Sequence, residues 1–376
     1  MATHLTNASA VRTSDRGGGR RNKRTSNDTD PAASFILLSY CQEDTIAEAV
    51  QSLLDQNCEP IEIIISDDAS ADGTFEKIKQ LAGTYSGPHR VVARRNETNM
   101  GVNRHIEHAI SLATSDLMIW TAGDDRNAPN RAQRVIDSHR ETGAKLLYSD
   151  AETVGPDGEP GENAYRRALF YKDFSTEDAA TAFSLYLGAT AAWHKDLYRK
   201  YGGFPKDRAY EDLILGFRAL LEDGLHYIPE NLVIYKEDVG ISAQLTKKIS
   251  TLTNQERRAR MLKGHLAVLE QRLADARTFG LADSSPVVRK IKQAAGKIHA
   301  RLDFYNGIGA VLASRHYGWG QSCRASPAKA CAGCATGNGA GPKRRPAGRP
   351  QIVRLAASRD LPVPDYLKPP PTLYLS

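Results

Sequence analysis

The sequence predicts an α/β fold, Rossmann-like, with a mostly parallel central sheet flanked by helices. Segments typical of strands and helices alternate at least four times between residues 34 and 148, the pattern of a parallel sheet covered on both faces. The strand segments are short continuous apolar runs, as expected for strands buried on both sides. Two Asp-Asp pairs follow such runs, and ligands of open α/β sheets bind outside the carboxyl ends of the strands.

The alternation begins after a polar N-terminal stretch. Asp44 can cap the first helix, on which Ile46, Val50 and Leu53 form one apolar face. We expect strands at 34–40, 61–65, 89–94, 117–120 and 145–148, and further helices at 74–83, 102–114 and 129–142.

Composition divides the chain into four stretches. Residues 1–30 and the Ala-, Gly-, Pro- and Arg-rich residues 314–376 are predicted to be disordered and basic. Residues 31–245 are assigned to one α/β domain, with a surface excursion at about 151–180 where Gly and Pro accumulate. Residues 246–313 form a helical extension. Its two amphipathic helices are expected at 254–277 and 287–312.

The basic charge lies at the two ends of the chain. Residues 1–30 hold six Lys or Arg against three Asp, and residues 314–376 hold ten against two. The remaining body, residues 31–313, has 34 basic and 39 acidic side chains, a net charge of −5. This balance argues against nucleic acid as a specific partner.

Cysteine usage and hydropathy favour a cytoplasmic protein. Of the five cysteines only Cys41 and Cys58 lie outside the tail, so no disulfide framework is expected. The N-terminus has no apolar segment of a secretory signal, and no apolar run approaches the ~20 residues that span a bilayer. We expect a cytoplasmic protein, or one bound peripherally at the inner face of the cell membrane.

The first candidate site is the Gly123-Asp124-Asp125 turn. It follows an apolar strand, and Gly123 allows close approach of the backbone to a ligand. A diphosphate that departs from carbon gains negative charge, which a divalent cation can stabilise. Mg²⁺ or Mn²⁺ needs only one or two protein carboxylates, since phosphate oxygens and water complete its shell. The alternative is a solvated turn that caps the next helix.

Two further acidic pairs occur. Asp67-Asp68 ends the second predicted strand and could be an Asx-rich turn, but two acidic pairs converging on one sheet edge favour a functional site. Glu211-Asp212 opens an amphipathic helix. There, carboxylates favour the helix dipole, or one of them serves as a general base.

Over residues 34–242 the chain resembles family 2 glycosyltransferases with the GT-A fold. The matching segments occur in the family's order, and their spacing makes the resemblance specific. They are Phe35–Tyr40, Ile63–Ser70, Asp72–Thr74, Asn99–Arg104, Thr114–Asp116, Gly123–Asp125 and Glu211–Asp212.

The resemblance implies roles at the donor side. Asp68, with Asp67 beside it, would contact the nucleotide base. Asp124 would reach the ribose or the metal, and Asp125 would be the direct ligand of Mg²⁺ or Mn²⁺. The remaining residues implied in nucleotide-sugar binding are Ser39, Asn99, Gly101 and Asn103.

The resemblance also implies the reaction. Asp212 would be the catalytic base, and Glu211 would orient the acceptor or its loop. A sugar would pass with inversion from a nucleotide-diphosphate donor, expected to be UDP-linked, to a hydroxyl of a saccharide or lipid-linked acceptor. The implied context is bacterial polysaccharide and cell-envelope synthesis. The two C-terminal helices would cover the domain, pair two subunits in a homodimer or contact anionic lipid.

The sequence departs from the family at residues 235–242. Many relatives carry a His there that joins the metal or the diphosphate, and this chain has none. Lys236 or an acidic neighbour would take that task, or the task is absent.

Two other functions share these features. A sugar nucleotidyltransferase would carry a Gly-rich loop after the first strand, whereas residues 39–44 contain no glycine. A non-catalytic sugar-nucleotide binder would not need all three acidic elements.

Overall fold

Eight strands form one mixed sheet in a computed structural model of the chain, which describes residues 31–155, 157–205, 210–237 and 250–305. The strands are β1 (Ser34–Ser39), β2 (Glu62–Asp67), β3 (Arg90–Arg95), β4 (Leu117–Ala122), β5 (Arg126–Asn127), β6 (Leu146–Val154), β7 (Ala192–His194) and β8 (Leu225–Lys236). Their order across the sheet is β3-β2-β1-β4-β7-β6-β8-β5.

Helices connect and cover these strands. In chain order they are α1 (Ile46–Leu54), α2 (Thr74–Thr84), α3 (Val102–Leu112), α4 (Arg131–Thr142), α5 (Thr176–Ala179), α6 (Asp196–Arg199), α7 (Glu211–Leu221), α8 (Asn254–Phe279) and α9 (Pro286–Tyr305). Short 3₁₀ turns occur at Ala164–Arg167, Leu169–Tyr171 and Gly188–Thr190.

The N-terminal half of the sheet is parallel. β1 lies between β2 and β4 and pairs with both in parallel, and β2 pairs in parallel with β3. The intervening helices act as crossovers, as parallel pairing requires. The carboxyl ends of β1, β2 and β4 therefore meet at one edge of the sheet.

The C-terminal half of the sheet is mixed because the short strand β7 runs antiparallel to both of its neighbours. β7 pairs antiparallel with β4 on one side and with β6 on the other. β6 then pairs in parallel with β8, which pairs antiparallel with β5. Four of the seven pairings are parallel. The predicted α/β fold with a mostly parallel, helix-flanked sheet is confirmed, and β5, β7 and β8 are the strands that the sequence pattern did not predict.

Two apolar cores lie on the two faces of the sheet. Successive strand residues point to opposite faces, so Ile36 and Ile64 pack with α3 and α7 in one core. Their neighbours Phe35 and Ile63 pack with α1 and α4 in the other core. This division explains why the strands are apolar at consecutive positions.

The predicted C-terminal helices are present as α8 and α9. They pack on each other and, through Leu269, Val288 and Ile291, on Phe217 of α7. In the part of the chain that the structure describes, no helix is long and apolar enough to cross a membrane. The predicted disordered stretches, residues 1–30 and 314–376, lie outside the described residues, as does the part of the second predicted helix beyond residue 305.

Candidate functional site

Two acidic turns flank the carboxyl end of β1. On one side Ser39 pairs in register with Asp67, and the Asp68 N–H donates to the Ser39 carbonyl at 2.9 Å. On the other side the Gly123 N–H donates to the Leu38 carbonyl at 3.1 Å. The Asp67-Asp68 and Asp124-Asp125 pairs thus meet at one sheet edge, as the alternation predicted.

Asp67 is fully buried and closes its own turn. Its carboxylate accepts the Ser70 N–H at 2.9 Å and the hydroxyls of Ser70 and Ser39. Arg95 forms an ion pair with it at 3.5 Å. Between Asp68 and Ser70, Ala69 adopts a left-handed backbone with φ of 61°, which costs free energy for a residue with a side chain. Asp67 therefore holds a strained turn in place.

Asp68 builds the loop that enters α3. Its Oδ1 accepts the Asn96 side-chain amide at 2.7 Å and the Met100 N–H at 2.9 Å, and its Oδ2 accepts the Gly101 N–H at 3.0 Å. The Asn99 side chain also accepts the Gly101 N–H, at 3.1 Å. Asn99 and Gly101, both predicted at the donor pocket, are exposed beside this buried carboxylate.

Asn103 and His105 lie on the buried face of α3. The Asn103 amide donates to the Pro205 carbonyl, which joins α3 to the segment that precedes α7. His105 contacts the Ser66 hydroxyl at 2.8 Å, under the Asp67-Asp68 turn. Burial lowers the pKa of His105 to about 4, so its ring is neutral. No spacing in the sequence marked His105 as part of the site.

Asp124 is held by the loop after β1. Gln42 donates its side-chain amide to Asp124 Oδ1 at 2.7 Å, and burial raises the pKa of Asp124 to about 6. Gly123 packs closely below, since a Cβ there would lie 2.6 Å from Gln42 Oε1 and 2.9 Å from Ile46 Cδ1. A side chain at position 123 would therefore displace the ends of the Gln42 and Ile46 side chains.

Asp125 carries an oxygen that is free to bind a ligand. Its Oδ1 is buried and has no hydrogen-bond partner among the described residues. Burial, and then the charge of Asp124, raise the pKa of Asp125 well above its usual range, while the Arg131 guanidinium opposes this. An unpaired buried carboxylate oxygen is costly unless something binds it.

Arg131 is a buried cation that the sequence analysis missed. It is fully buried at the start of α4 and donates to the carbonyls of Trp120 at 2.9 Å, Ala189 at 3.0 Å and Ala191 at 3.3 Å. It therefore links the end of β4 to the Gly188–Thr190 turn. Nothing in the sequence distinguishes it from the surface arginines of α4.

Lys236, at the end of β8, belongs to the stretch 235–242 where a His is expected from the resemblance; residues 238–242 of that stretch lie outside the described residues. It forms an ion pair with Glu48 at 3.0 Å, and its charge lowers the pKa of both Asp124 and Asp125 against the larger effect of burial. By contrast, His194 pairs with Leu117, the first residue of β4. It therefore lies at the end of the strands that is opposite to the acidic turns. Lys236 is therefore a second cation beside the acidic turn, in addition to the buried Arg131.

The donor atoms at this edge fit a cation that completes its shell with ligand oxygens. Within the described ranges, no group of three or more His, Cys, Asp or Glu side chains could hold a metal ion. The unpartnered Asp125 Oδ1, with Asp124 beside it, instead matches Mg²⁺ or Mn²⁺, which bind through one or two carboxylates plus phosphate oxygens.

Glu211 and Asp212 form the first turn of α7. Burial raises the pKa of Glu211 to about 8 and that of Asp212 to about 6, and the Asp212 charge raises the pKa of Glu211 further. Glu211 Oε2 is buried without a hydrogen-bond partner among the described residues. Burial therefore favours the protonated form of Glu211 more strongly than that of Asp212.

A model of a known protein family matches most of the predicted α/β domain. The model of glycosyl transferase family 2 matches residues 34–202. EpsE of Bacillus subtilis (strain 168), provisionally named a glycosyltransferase, is 36% identical over 113 residues, or 29% of this chain and 40% of EpsE. The abequosyltransferase RfbV of Salmonella typhimurium (strain LT2) is 30% identical over 139 residues, or 36% of this chain and 40% of RfbV.

The chain thus covers less than half of the length of these two relatives. A solved structure, S. aureus TarS 1-349 in complex with UDP-GlcNAc, has a TM-score of 0.49 and 15% identity. That match covers 74% of this chain and 82% of the TarS chain.

Proposed function

We propose, from the membership of residues 34–202 in glycosyl transferase family 2, that this chain is a metal-dependent, inverting glycosyltransferase. The donor would be a nucleotide-diphosphate sugar, linked to UDP, and the acceptor a hydroxyl of a saccharide or lipid-linked saccharide. The observation that carries this proposal is the Asp125 Oδ1 atom, buried without a partner beside Asp124 at the carboxyl edge of the sheet.

The nucleotide would bind over the end of β1. Asp68 has both carboxylate oxygens engaged in holding Asn96, Met100 and Gly101, which leaves lone pairs for at most a few further donors. We propose that Asp68 contacts the nucleotide base, with Asp67 behind it. The sugar-nucleotide pocket would be lined by Ser39, Asn99, Gly101 and Asn103. In this arrangement Asp67 acts through the turn that it closes.

The diphosphate would lie between Asp124, Asp125 and Lys236. Asp125 Oδ1 would hold Mg²⁺ or Mn²⁺, with Asp124 beside it or on the ribose. When bound, the cation neutralises the charge that develops on the departing diphosphate. Lys236 lies beside both carboxylates, so its ammonium is available to a phosphate oxygen in the role that a His has in many relatives.

Asp212 would remove the proton of the acceptor. The acceptor oxygen forms a bond to the anomeric carbon while the bond from that carbon to the diphosphate oxygen breaks, and the diphosphate leaves with the electron pair. The acceptor proton passes to the Asp212 carboxylate. A base with a pKa of about 6 is ionised at neutral pH and still able to take a proton. Attack opposite to the leaving group inverts the anomeric centre.

Binding of the donor is tested by thermal unfolding with UDP, GDP and dTDP, each with and without Mn²⁺. We expect one diphosphate to raise Tm by several degrees, only with Mn²⁺, since saturation at a hundred times Kd adds about 2.7 kcal/mol. Asp125→Asn should abolish this shift, and Asp173→Asn, an exposed Asp outside the site, should keep it. No response of the wild-type chain to any of the three would reject the proposed donor.

Catalysis is tested separately from binding. Asp212→Asn should bind the nucleotide as the wild type does but lose transfer by about 10²-fold or more. Asp196→Asn, whose side chain is half exposed on α6, is the matched control and should transfer at the wild-type rate. If Asp212→Asn turned over normally, the base assignment would be wrong. If neither the wild type nor Asp196→Asn transferred sugar from any donor that binds, the chain would instead be a non-catalytic sugar-nucleotide-binding protein.

A further inference from the structure

A buried arginine from the helical extension reaches the helix that carries Asp212. Arg272, on α8, is fully buried. Its guanidinium donates twice to the Leu213 carbonyl, at 2.9 and 3.2 Å, and to the carbonyls of Ala182 at 2.7 Å and Ala180 at 3.2 Å. Leu213 is the residue after Asp212. Arg272 therefore fixes the first turn of α7 against the segment that follows α5.

Arg272 makes no direct ion pair among the described residues, although the charges of Asp212 and Asp275 both act on its guanidinium. All four of its hydrogen bonds go to carbonyl oxygens. One turn away on α8, Asp275 instead pairs with Arg218 of α7 at 2.9 Å, with both side chains buried. Burial lowers the pKa of Arg272 to about 9, so it remains a cation at neutral pH.

We propose that Arg272 is a positioning residue for Asp212: from α8 it fixes the first turn of α7 and places a buried positive charge behind the Asp212 carboxylate. The inference rests on the proposed function, since it assigns the helical extension to the site of the catalytic base. By this inference α8 is part of the machinery of transfer.

Among the described residues, Arg272 is the cation whose charge acts on Asp212. The other groups around Asp212 are neutral or paired with each other. Glu211, on the same helix, is protonated at neutral pH because burial raises its pKa to about 8. Tyr186 is neutral because burial raises its pKa far above its usual range. His265, near Arg272 on α8, is neutral because burial lowers its pKa to about 4. Beyond these lie Arg218 and Asp275, which neutralise each other.

The test is a titration of the Asp212 carboxyl carbon by ¹³C NMR in the full chain, with Asp212→Asn used to identify its resonance. Arg272→Met and Arg272→Gln remove the charge, and Gln keeps amide donors for the carbonyls. Arg272→Lys keeps the charge. Arg277→Met, an exposed arginine on the same helix with a loose ion pair to Asp283 at 3.7 Å, is the matched control.

We expect the Asp212 midpoint to rise by about one pH unit or more in the Met and Gln variants. It should stay within about half a unit of wild type in Arg272→Lys and be unchanged in Arg277→Met. A purely structural arginine would lower Tm in all three Arg272 variants without moving the midpoint. That result, or a rise in Arg272→Lys equal to that in Arg272→Met, would overturn the proposal. If neither neutral variant folds, Arg272→Lys still tests the proposal: a midpoint that rises by about one pH unit or more despite the retained charge would overturn it.

The activity profile separates this inference from the proposed function. In an active enzyme the acid limb of kcat/KM should move upward in Arg272→Gln by the same shift as the NMR midpoint. A wild-type chain that transfers no sugar would reject the proposed function while leaving the midpoints measurable. An active wild type with an unmoved limb in Arg272→Gln would reject the role of Arg272 alone.

Discussion

Asp68 holds the backbone of Gly101 through its carboxylate. Asp68 Oδ2 accepts the Gly101 N–H at 3.0 Å, while Oδ1 accepts two other donors. Gly101 can take this position because its φ of 76° and ψ of 160° lie in a region that is nearly exclusive to glycine. The acidic turn after β2 and the entrance to α3 are therefore one structural unit.

The first prediction concerns Gly101→Ala. A Cβ there would meet no atom within 4 Å, so the cost comes from the backbone, about 1 to 3 kcal/mol. We expect the loop to leave Asp68 and nucleotide affinity to fall about tenfold or more, measured by calorimetry. Gly143→Ala, at a left-handed helix end with φ of 67°, should lower stability by about 1 kcal/mol with unchanged affinity. Equal affinities in the two variants would contradict the link between Asp68 and Gly101.

The second prediction concerns Gly123→Ala. The added Cβ would lie 2.6 Å from Gln42 Oε1 and 2.9 Å from Ile46 Cδ1, so the Gln42 side chain must shift away from Asp124. Metal-dependent nucleotide binding should weaken by about tenfold or more, measured by the Mn²⁺-dependent Tm shift. Gly83→Ala, where a Cβ meets nothing within 4 Å, is the control and should keep full binding. Normal binding by the Gly123 variant would show that Gln42 does not position Asp124.

The third prediction is the pH profile. Burial raises the pKa of Asp212 to about 6, against the Leu213 N–H and the Arg272 charge. The base acts when ionised, so kcat/KM should rise tenfold per unit below about pH 6 and level off above it. Glu211→Gln mimics the protonated form present at pH 7 and should keep activity within about tenfold. Transfer that stays constant from pH 5 to 7 would be incompatible with Asp212 as the base.

The fourth prediction concerns acid stability. Burial would raise the pKa of Glu222, but bonds from Lys200, Tyr201 and Lys145 outweigh it and lower the pKa to about 2. A lowered carboxyl pKa stabilises the fold above the unfolded value of roughly 4.3, and this contribution disappears as pH falls toward 2. Glu222→Gln should therefore cost roughly 1 to 3 kcal/mol at pH 7 and much less near pH 3, measured by urea unfolding.

The control for Glu222 is Glu230→Gln. Glu230 pairs with Arg134 at 2.6 Å, but the two side chains are 38% and 40% exposed. Exposed pairs contribute less than about 1 kcal/mol. Losses of the same size in both variants, or a loss in Glu222→Gln that did not depend on pH, would contradict this account.

Much of the N-terminal half of the sheet could be predicted because its signals are local. β1, β2 and β4 are apolar runs that end in polar turns, so both their location and the meeting of Asp67-Asp68 with Asp124-Asp125 followed from the alternation. β7 has only three residues, Ala192–His194, which are too few to show a period. The buried arginines Arg131 and Arg272 stand in helices rich in exposed arginine. Their burial depends on tertiary contacts with carbonyls far along the chain, which composition and spacing do not encode.

The insertion of β7 has a consequence for synthesis of the chain. β4 begins at Leu117 and its antiparallel neighbour at Ala192, so about 75 residues must be translated before the central edge is covered. At roughly 5 to 20 residues per second, the apolar edge of β4 stays unpaired for some seconds during translation. In that time it can pair with other nascent chains. We expect chains arrested before residue 192 to aggregate, and the full chain to remain dispersed.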